Sequence, residues 1–246
     1  MGARLATLTA AWRRWKSACE LWRHKATRRP FGLGAVSRWL RNARYRWFVK
    51  VTGYGPEDRI VDVGCGRGAF LEARHPRLDR VLAVDLREGM LRELRARHPQ
   101  LRVVVASADR MPFGDGAFDI ALSNAVLEHL PDAIRRRAAG EIVRIADRHC
   151  VIVPNGRFPL EVHFLTPFIH WLSTPRFRRC LQWLSRLRLL RLRPDYPLAI
   201  LTPSEIRRLF PASRVGLLMA GAHIGVVGRR EPAADDGPGA AELPPQ

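Results

Sequence analysis

"VDVGCGRGAF", residues 61–70, sets three glycines, Gly64, Gly66 and Gly68, into five positions directly after an apolar run. Glycine adds no side chain and costs backbone entropy on folding. A cluster of them marks a place where the chain turns tightly or lets something approach. Ile60, Val61 and Val63 read as the end of a buried strand, and Ala69-Phe70-Leu71-Glu72-Ala73 as the start of a helix. Strand, glycine turn and helix together offer backbone N–H groups and a positive helix end to a polar or anionic ligand. Gly64-Cys65-Gly66-Arg67-Gly68-Ala69 also fits the dinucleotide pattern G-x-G-x-x-G/A, so the turn alone leaves the nucleotide open.

Outward from this turn, strand and helix signals alternate. Strands are expected at 59–63, 81–84, 101–106, 119–123 and 149–153, with helices at 89–97 and 134–146. "FGDGAF", 113–118, is a turn. In "LTPSEIRRLF", 201–210, Thr202 is an N-cap with Pro203 at the first helical position and Glu205 three residues on. Two further strands at 215–220 and 223–227 close the sheet. The expected fold is α/β: a Rossmann-like, doubly wound, seven-stranded sheet that binds its ligand at the C-terminal ends of the strands.

The ends and one interior stretch break this rhythm. Leu5, Leu8, Trp12, Trp15, Cys19 and Trp22 recur in steps of three and four, one face of a basic N-terminal helix. Residues 156–200 are rich in aromatics, prolines and arginines; Phe177, Cys180, Leu181, Trp183, Leu184, Leu187 and Leu190 have the spacing expected of a second basic amphipathic helix. The expected organisation is a basic extension over 1–50, a domain over 51–230 with an α-helical insert at 156–200 after strand five, and a disordered tail over 231–246.

Charge follows the same divisions. The net +19 splits into +12 for residues 1–50, +1 for 51–155, +6 for 156–200 and 0 for 201–246. Of the 42 basic residues only Lys16, Lys25 and Lys50 are lysines. Arginine beside Trp and Leu at helical spacing suits an anionic membrane surface, and the bland alternative is a helix that packs on its own domain. No run of ~18 apolar residues is present, so no membrane-spanning helix is expected. Cys19, Cys65, Cys150 and Cys180 are scattered without metal-ligand spacing. That points to no metal site and to a reducing, cytoplasmic setting, while the basic amphipathic segments suggest a peripheral place on the inner face of the membrane.

Four stretches in order move the nucleotide away from NAD: "VDVGCGRG" (61–68), "VLAVDLREGML" (81–91), "ADRMPFGDGAFDIALSNAVLEHL" (108–130) and "HCVIVPN" (149–155). With them the chain resembles the class I S-adenosylmethionine-dependent methyltransferases of the small-molecule type, similar to the ubiquinone and menaquinone C-methyltransferases. The resemblance covers 56–155 strongly and 201–228 weakly. It implies that S-adenosylmethionine lays its amino acid end on the backbone of Gly64, Cys65, Gly66 and Gly68. Asp62 would accept from the ammonium, and Asp85, at the end of the second strand, from both ribose hydroxyls; a carboxylate's two oxygens match a vicinal diol. Leu86 or Met90 would cover the adenine, Asp109 would accept its amino group, and the Arg110 amide would reach a ring nitrogen. Asn124 would lie near the methionine part. The plainer alternatives are that Asp62 orients the loop and Asp109 caps a turn. Glu128 and His129 look like a catalytic pair, although the resemblance makes "LEHL" mainly a shaper of the helix that follows.

A sulfonium is an activated methyl donor, so the protein must mainly align a nucleophile with the S–CH3 bond and exclude water. For a hydroxyl acceptor a base helps. The candidates in "FPLEVHFLTPFIHWLS", 158–173, are Glu161, His163 and His170. The expected acceptor is a small molecule or a lipid-linked one. The alternatives are an RNA methyltransferase whose arginines hold phosphate, and a non-catalytic binding protein.

Overall fold

The computed structural model describes residues 33–68, 75–158, 160–161, 166–167 and 201–231. The helix expected in 1–29, the helix start at 69–73, most of the insert and the tail lie outside these residues.

Seven strands, β1 (Ile60–Val63), β2 (Val81–Asp85), β3 (Arg102–Val105), β4 (Phe118–Asn124), β5 (Ala146–Pro154), β6 (Arg214–Leu218) and β7 (His223–Arg229), form one sheet in the order β3-β2-β1-β4-β5-β7-β6. β1 pairs in parallel with β2 on one side and β4 on the other, with Ile60 opposite both Val81 and Ile120. β7 runs antiparallel between β5 and β6, bringing His223 opposite Pro154 and Leu218. β1 (IVDV) and β2 (VLAVD) are buried at every position. A strand covered on both faces needs apolar residues on both, which is why these read as apolar runs, interrupted by Asp62 and ended by Asp85, and not as alternation. The strand order reverses between β1 and β4, and this switch point opens a crevice at their C-terminal ends.

Helices α1 (Leu33–Thr52), α2 (Glu88–Arg97), α3 (Asp132–Arg144) and α4 (Pro203–Leu209) cover the sheet. One core layer joins Val61, Val63 and Ala121 to Ile134, Ile142 and Ile206. The other joins Ile60, Ile120 and Ile152 to Phe48, Leu91 and Leu94. α4 starts as its sequence indicates: Thr202 Oγ1 accepts from the Glu205 amide at 3.3 Å, and the Glu205 carboxylate accepts from the Thr202 amide at 2.7 Å.

α1 crosses the boundary expected at residue 50. Phe48 is fully buried against the sheet, and its ring packs between Tyr45 and Tyr54 at centroid distances of 6.0 and 5.9 Å. The Arg148 guanidinium then ties the helix end to the start of β5 by donating to the Thr52 carbonyl at 2.7 Å. Leu160–Glu161 and Thr166–Pro167 form a two-residue antiparallel pair.

Candidate functional site

All three loop glycines have positive φ: +74° at Gly64, +58° at Gly66 and +73° at Gly68. Their surroundings separate them. A Cβ on Gly64 would come within 2.5 Å of a Val126 methyl, and one on Gly68 within 2.5 Å of Leu94 Cδ1. Both glycines therefore make room for the protein's own side chains. A Cβ on Gly66 would meet only Arg87 Nη2, at 3.6 Å, so Gly66 alone presents backbone to open space. The Gly64 and Cys65 amides both donate to the Val84 carbonyl, at 2.7 and 3.1 Å, which holds the loop against β2.

Asp85 ends β2, with its side chain buried. Its Oδ2 accepts from the Gly66 amide at 2.9 Å, joining the loop to the neighbouring strand. Arg87 takes the rest: its amide and Nε donate to Oδ1 at 2.9 and 3.0 Å, and Nη2 donates to Oδ2 at 3.1 Å. The sequence reading missed Arg87. Its position two residues after Asp85 allows the amide contact, but no pattern shows that the guanidinium folds back.

Asp62 is buried in the middle of the sheet, opposite Ala83 of β2 and Leu122 of β4. Burial, with the Asp85 carboxylate adding to it, pushes its carboxyl up to about 7. The Cys65 thiol is likewise pushed up by burial and by Asp62 and Asp85, which makes it a poor nucleophile. Leu86 and Met90 are half-buried beside the first turn of α2.

Asp109 accepts from the Ser107 hydroxyl on Oδ1 and from Arg137 Nε and Nη2 on Oδ2, at 3.0 and 2.7 Å. Burial works against its charge, but these hydrogen bonds outweigh it and hold the carboxyl below the usual range. The Arg110 amide, expected to meet a ring nitrogen, donates inside the turn to the Ser107 carbonyl at 3.1 Å. Asn124 is the last residue of β4; its Oδ1 is buried and has no hydrogen-bond partner. Glu161 lies in the short antiparallel pair, while His163 and His170 fall outside the described residues. Glu128 is buried in the 3-10 turn after β4, with Oε1 3.9 Å from His129 Nε2. Among the described residues no cluster of three metal-ligating side chains occurs.

Gly66 and Asp85 are thus joined by a hydrogen bond, Asp62 feels the Asp85 carboxylate, and Asn124 ends the neighbouring strand β4. Residues 60–149 match the family described as a methyltransferase domain. A malonyl-[acyl-carrier protein] O-methyltransferase from Serratia marcescens is 34% identical over 77 residues, 31% of this chain and 30% of that protein. A demethylmenaquinone methyltransferase from Beutenbergia cavernae is 27% identical over 146 residues, 59% of this chain and 55% of that protein. Residues 60–149 are thus a methyltransferase domain, and the chain is similar over this region to S-adenosylmethionine-dependent methyltransferases. It spans from about a third to about half of the length of these two methyltransferases. The fold agrees with the crystal structure of an S-adenosylmethionine-dependent methyltransferase from Mesorhizobium loti, at TM-score 0.52 and 16% identity, covering 77% of this chain and all of that one. The residue types suit S-adenosylmethionine: Gly66 leaves open space where a side chain would stand, Asp85 carries two acceptor oxygens that the half-exposed Arg87 now covers, and Asn124 has an amide oxygen that lacks a partner.

Proposed function

We propose that the chain transfers a methyl group from S-adenosylmethionine to a small-molecule or lipid-linked acceptor at a membrane surface. The carrying observation is the Asp85 carboxylate, fixed at the C-terminal end of β2 by the amide of Gly66, the one loop glycine that faces open space. A ribose diol donates to such a carboxylate, and the amino acid end of the cofactor lies along the loop beside it. Asp62 accepts from the ammonium, whose positive charge favours the ionised form of a carboxyl that burial has pushed up. Asn124 orients the methionine part with its orphaned oxygen. Leu86 and Met90 flank the adenine, with Asp109 and Arg110 at its polar edge.

When bound, S-adenosylmethionine supplies an activated methyl group. The chain's own residues hold the nucleophile in line and keep water out. The insert, with Glu161, His163 and His170, forms the acceptor side. Two observations support a surface acceptor: Trp39 is 60% exposed on α1, and α1 has no acid in its first turn and Lys50 in its last. Both relatives described above are named for methyl transfer, one to a malonyl group on a carrier protein and one to demethylmenaquinone.

Calorimetry with S-adenosylmethionine and with its demethylated product, S-adenosylhomocysteine, tests the reading. Wild type binds both, and Asp85→Ala loses at least about tenfold, about 1.4 kcal/mol. No binding by wild type, or equal binding by the variant, overturns it.

A further inference from the structure

α1 carries a cation to the rim of the crevice. The helix lies over β5 and β7 with its C-terminal end at the start of β5, where Arg148 meets the Thr52 carbonyl. One turn further back, Trp47 lies over Gly225 in β7. Arg44 then reaches the first residue of β7: its Nη1 is 3.3 Å from His223 Nε2. His223 is opposite Pro154, the last residue of β5, so Arg44 sits at the cofactor edge of the sheet.

Asn124 shares that edge and that face. Leu122 belongs to the core layer of Phe48, and alternation along β4 puts Asn124 on the same side. Glu128 follows in the turn after β4, close enough to favour the charge on Arg44, which burial and Arg41 oppose and bring down to about 10. Arg44 therefore stays charged at neutral pH. Its Nε is buried and has no hydrogen-bond partner. A buried charged donor left unmatched is costly, and a matching acceptor removes that cost. With Nη1 turned to His223, the Nε–Nη2 edge offers two parallel donors, the fork that takes both oxygens of a carboxylate.

We propose that Arg44 binds a carboxylate at this edge and that the methyl acceptor carries it. This rests on the methyltransferase reading above and adds the acceptor's chemical class. Holding the carboxylate on Arg44, at the same edge and face of the sheet as Asn124, orients the acceptor toward the transferred methyl group. The cofactor has a carboxylate of its own, so the test must separate the two sources.

The test uses the full chain, with and without S-adenosylhomocysteine, titrated with malonate and with its uncharged analogue malonamide under ligand-observed NMR. Wild type binds malonate at least about tenfold more tightly than malonamide. Arg44→Met removes that preference and leaves S-adenosylhomocysteine affinity within twofold; Arg44→Lys, which keeps the charge and loses the fork, falls between. A wild type that does not distinguish malonate from malonamide overturns the proposal whether or not any variant folds. So does an Arg44→Met protein that keeps the preference. If Arg44→Met instead loses affinity for S-adenosylhomocysteine, the carboxylate is the cofactor's and the acceptor assignment falls. A wild type that prefers malonate but binds no S-adenosylhomocysteine sinks the methyltransferase reading while leaving the carboxylate site standing.

Discussion

Arg87 lies across the Asp85 carboxylate that the proposed function assigns to the ribose. Both oxygens of Asp85 accept from its guanidinium, and the Asp85 side chain is only 5% exposed, so the pair is well formed. The Arg87 side chain is 31% exposed, which discounts the strength of the pair but leaves the guanidinium room to swing outward. On the proposed reading, cofactor binding displaces it. Arg87→Met should therefore tighten S-adenosylhomocysteine about threefold to tenfold, by 0.7–1.4 kcal/mol, and speed association. Calorimetry and stopped-flow fluorescence check this; weaker binding would show that Arg87 supports the ligand instead. Asp62 gives a pH signature at the same scale. Its folded carboxyl titrates at about 7, above the unfolded value of 3.8, so the native state holds the proton more tightly. Stability contributed by the protonated form is present at low pH and falls as pH rises through about 7. The buried His149 imidazole is held down to about 4 by burial and acts in the opposite sense at acid pH, so the comparison must be with Asp62→Asn. Melting temperature between pH 5 and 8 should fall more for wild type than for Asp62→Asn. Cofactor affinity should rise over that range in wild type only. Parallel curves would show that Asp62 does not titrate there.

At the scale of elements, the glycine loop makes two separable demands. Gly64 and Gly68 have no room for a methyl against Val126 and Leu94, so alanine at either should lower the melting temperature and bring cofactor binding down with it. Gly66→Ala meets free space at positive φ, costing about 1 kcal/mol of backbone strain, and should lose binding out of proportion to stability. Thermal melts beside calorimetry decide it; three equal profiles would mean that the loop acts as one structural turn. The loop's position after a strand was legible because three glycines follow an apolar run. Which glycine faces a ligand was not, because Val126 and Leu94 come from elements brought there by the sheet. The strands were legible for a simple reason: in β1 and β2 both faces are buried, so apolar residues dominate both faces. Asp62 was legible as a departure from that pattern. α1 was not, because Arg41, Arg44, Arg46 and Lys50 crowd a helix whose packing rests on Tyr45, Trp47 and Phe48. Arg87, Arg137 and Arg44 escaped for a related reason. In a chain with 39 arginines, residue type cannot say which guanidinium folds onto which carboxylate.

Across the whole molecule, the arginines of the central domain are largely committed to its own acids. Arg59 pairs with Asp119, Arg80 with Glu57, Arg144 with Asp115 and Glu141, Arg148 with Asp58, and Arg230 with Asp147. This fits the net +1 over residues 51–155, whereas residues 1–50 and 156–200 together carry +18. No helix among the described residues is long and apolar enough to cross a membrane. Attachment to a surface would then combine basic residues, each worth about 1 kcal/mol beside anionic lipid, with exposed tryptophan such as Trp39. The full chain should sediment with vesicles containing anionic lipid and not with neutral ones. Salt should release much of it, since the attraction is screened within a Debye length, while the tryptophan contribution persists. Removing residues 1–29 leaves α1 and its buried Phe48 in place, so that deletion should weaken vesicle binding and spare cofactor affinity. A deletion that also lost the cofactor would make the segment part of the domain. A full-length protein that ignores anionic vesicles and binds RNA with a steep salt slope would assign the arginines to phosphate in a nucleic acid.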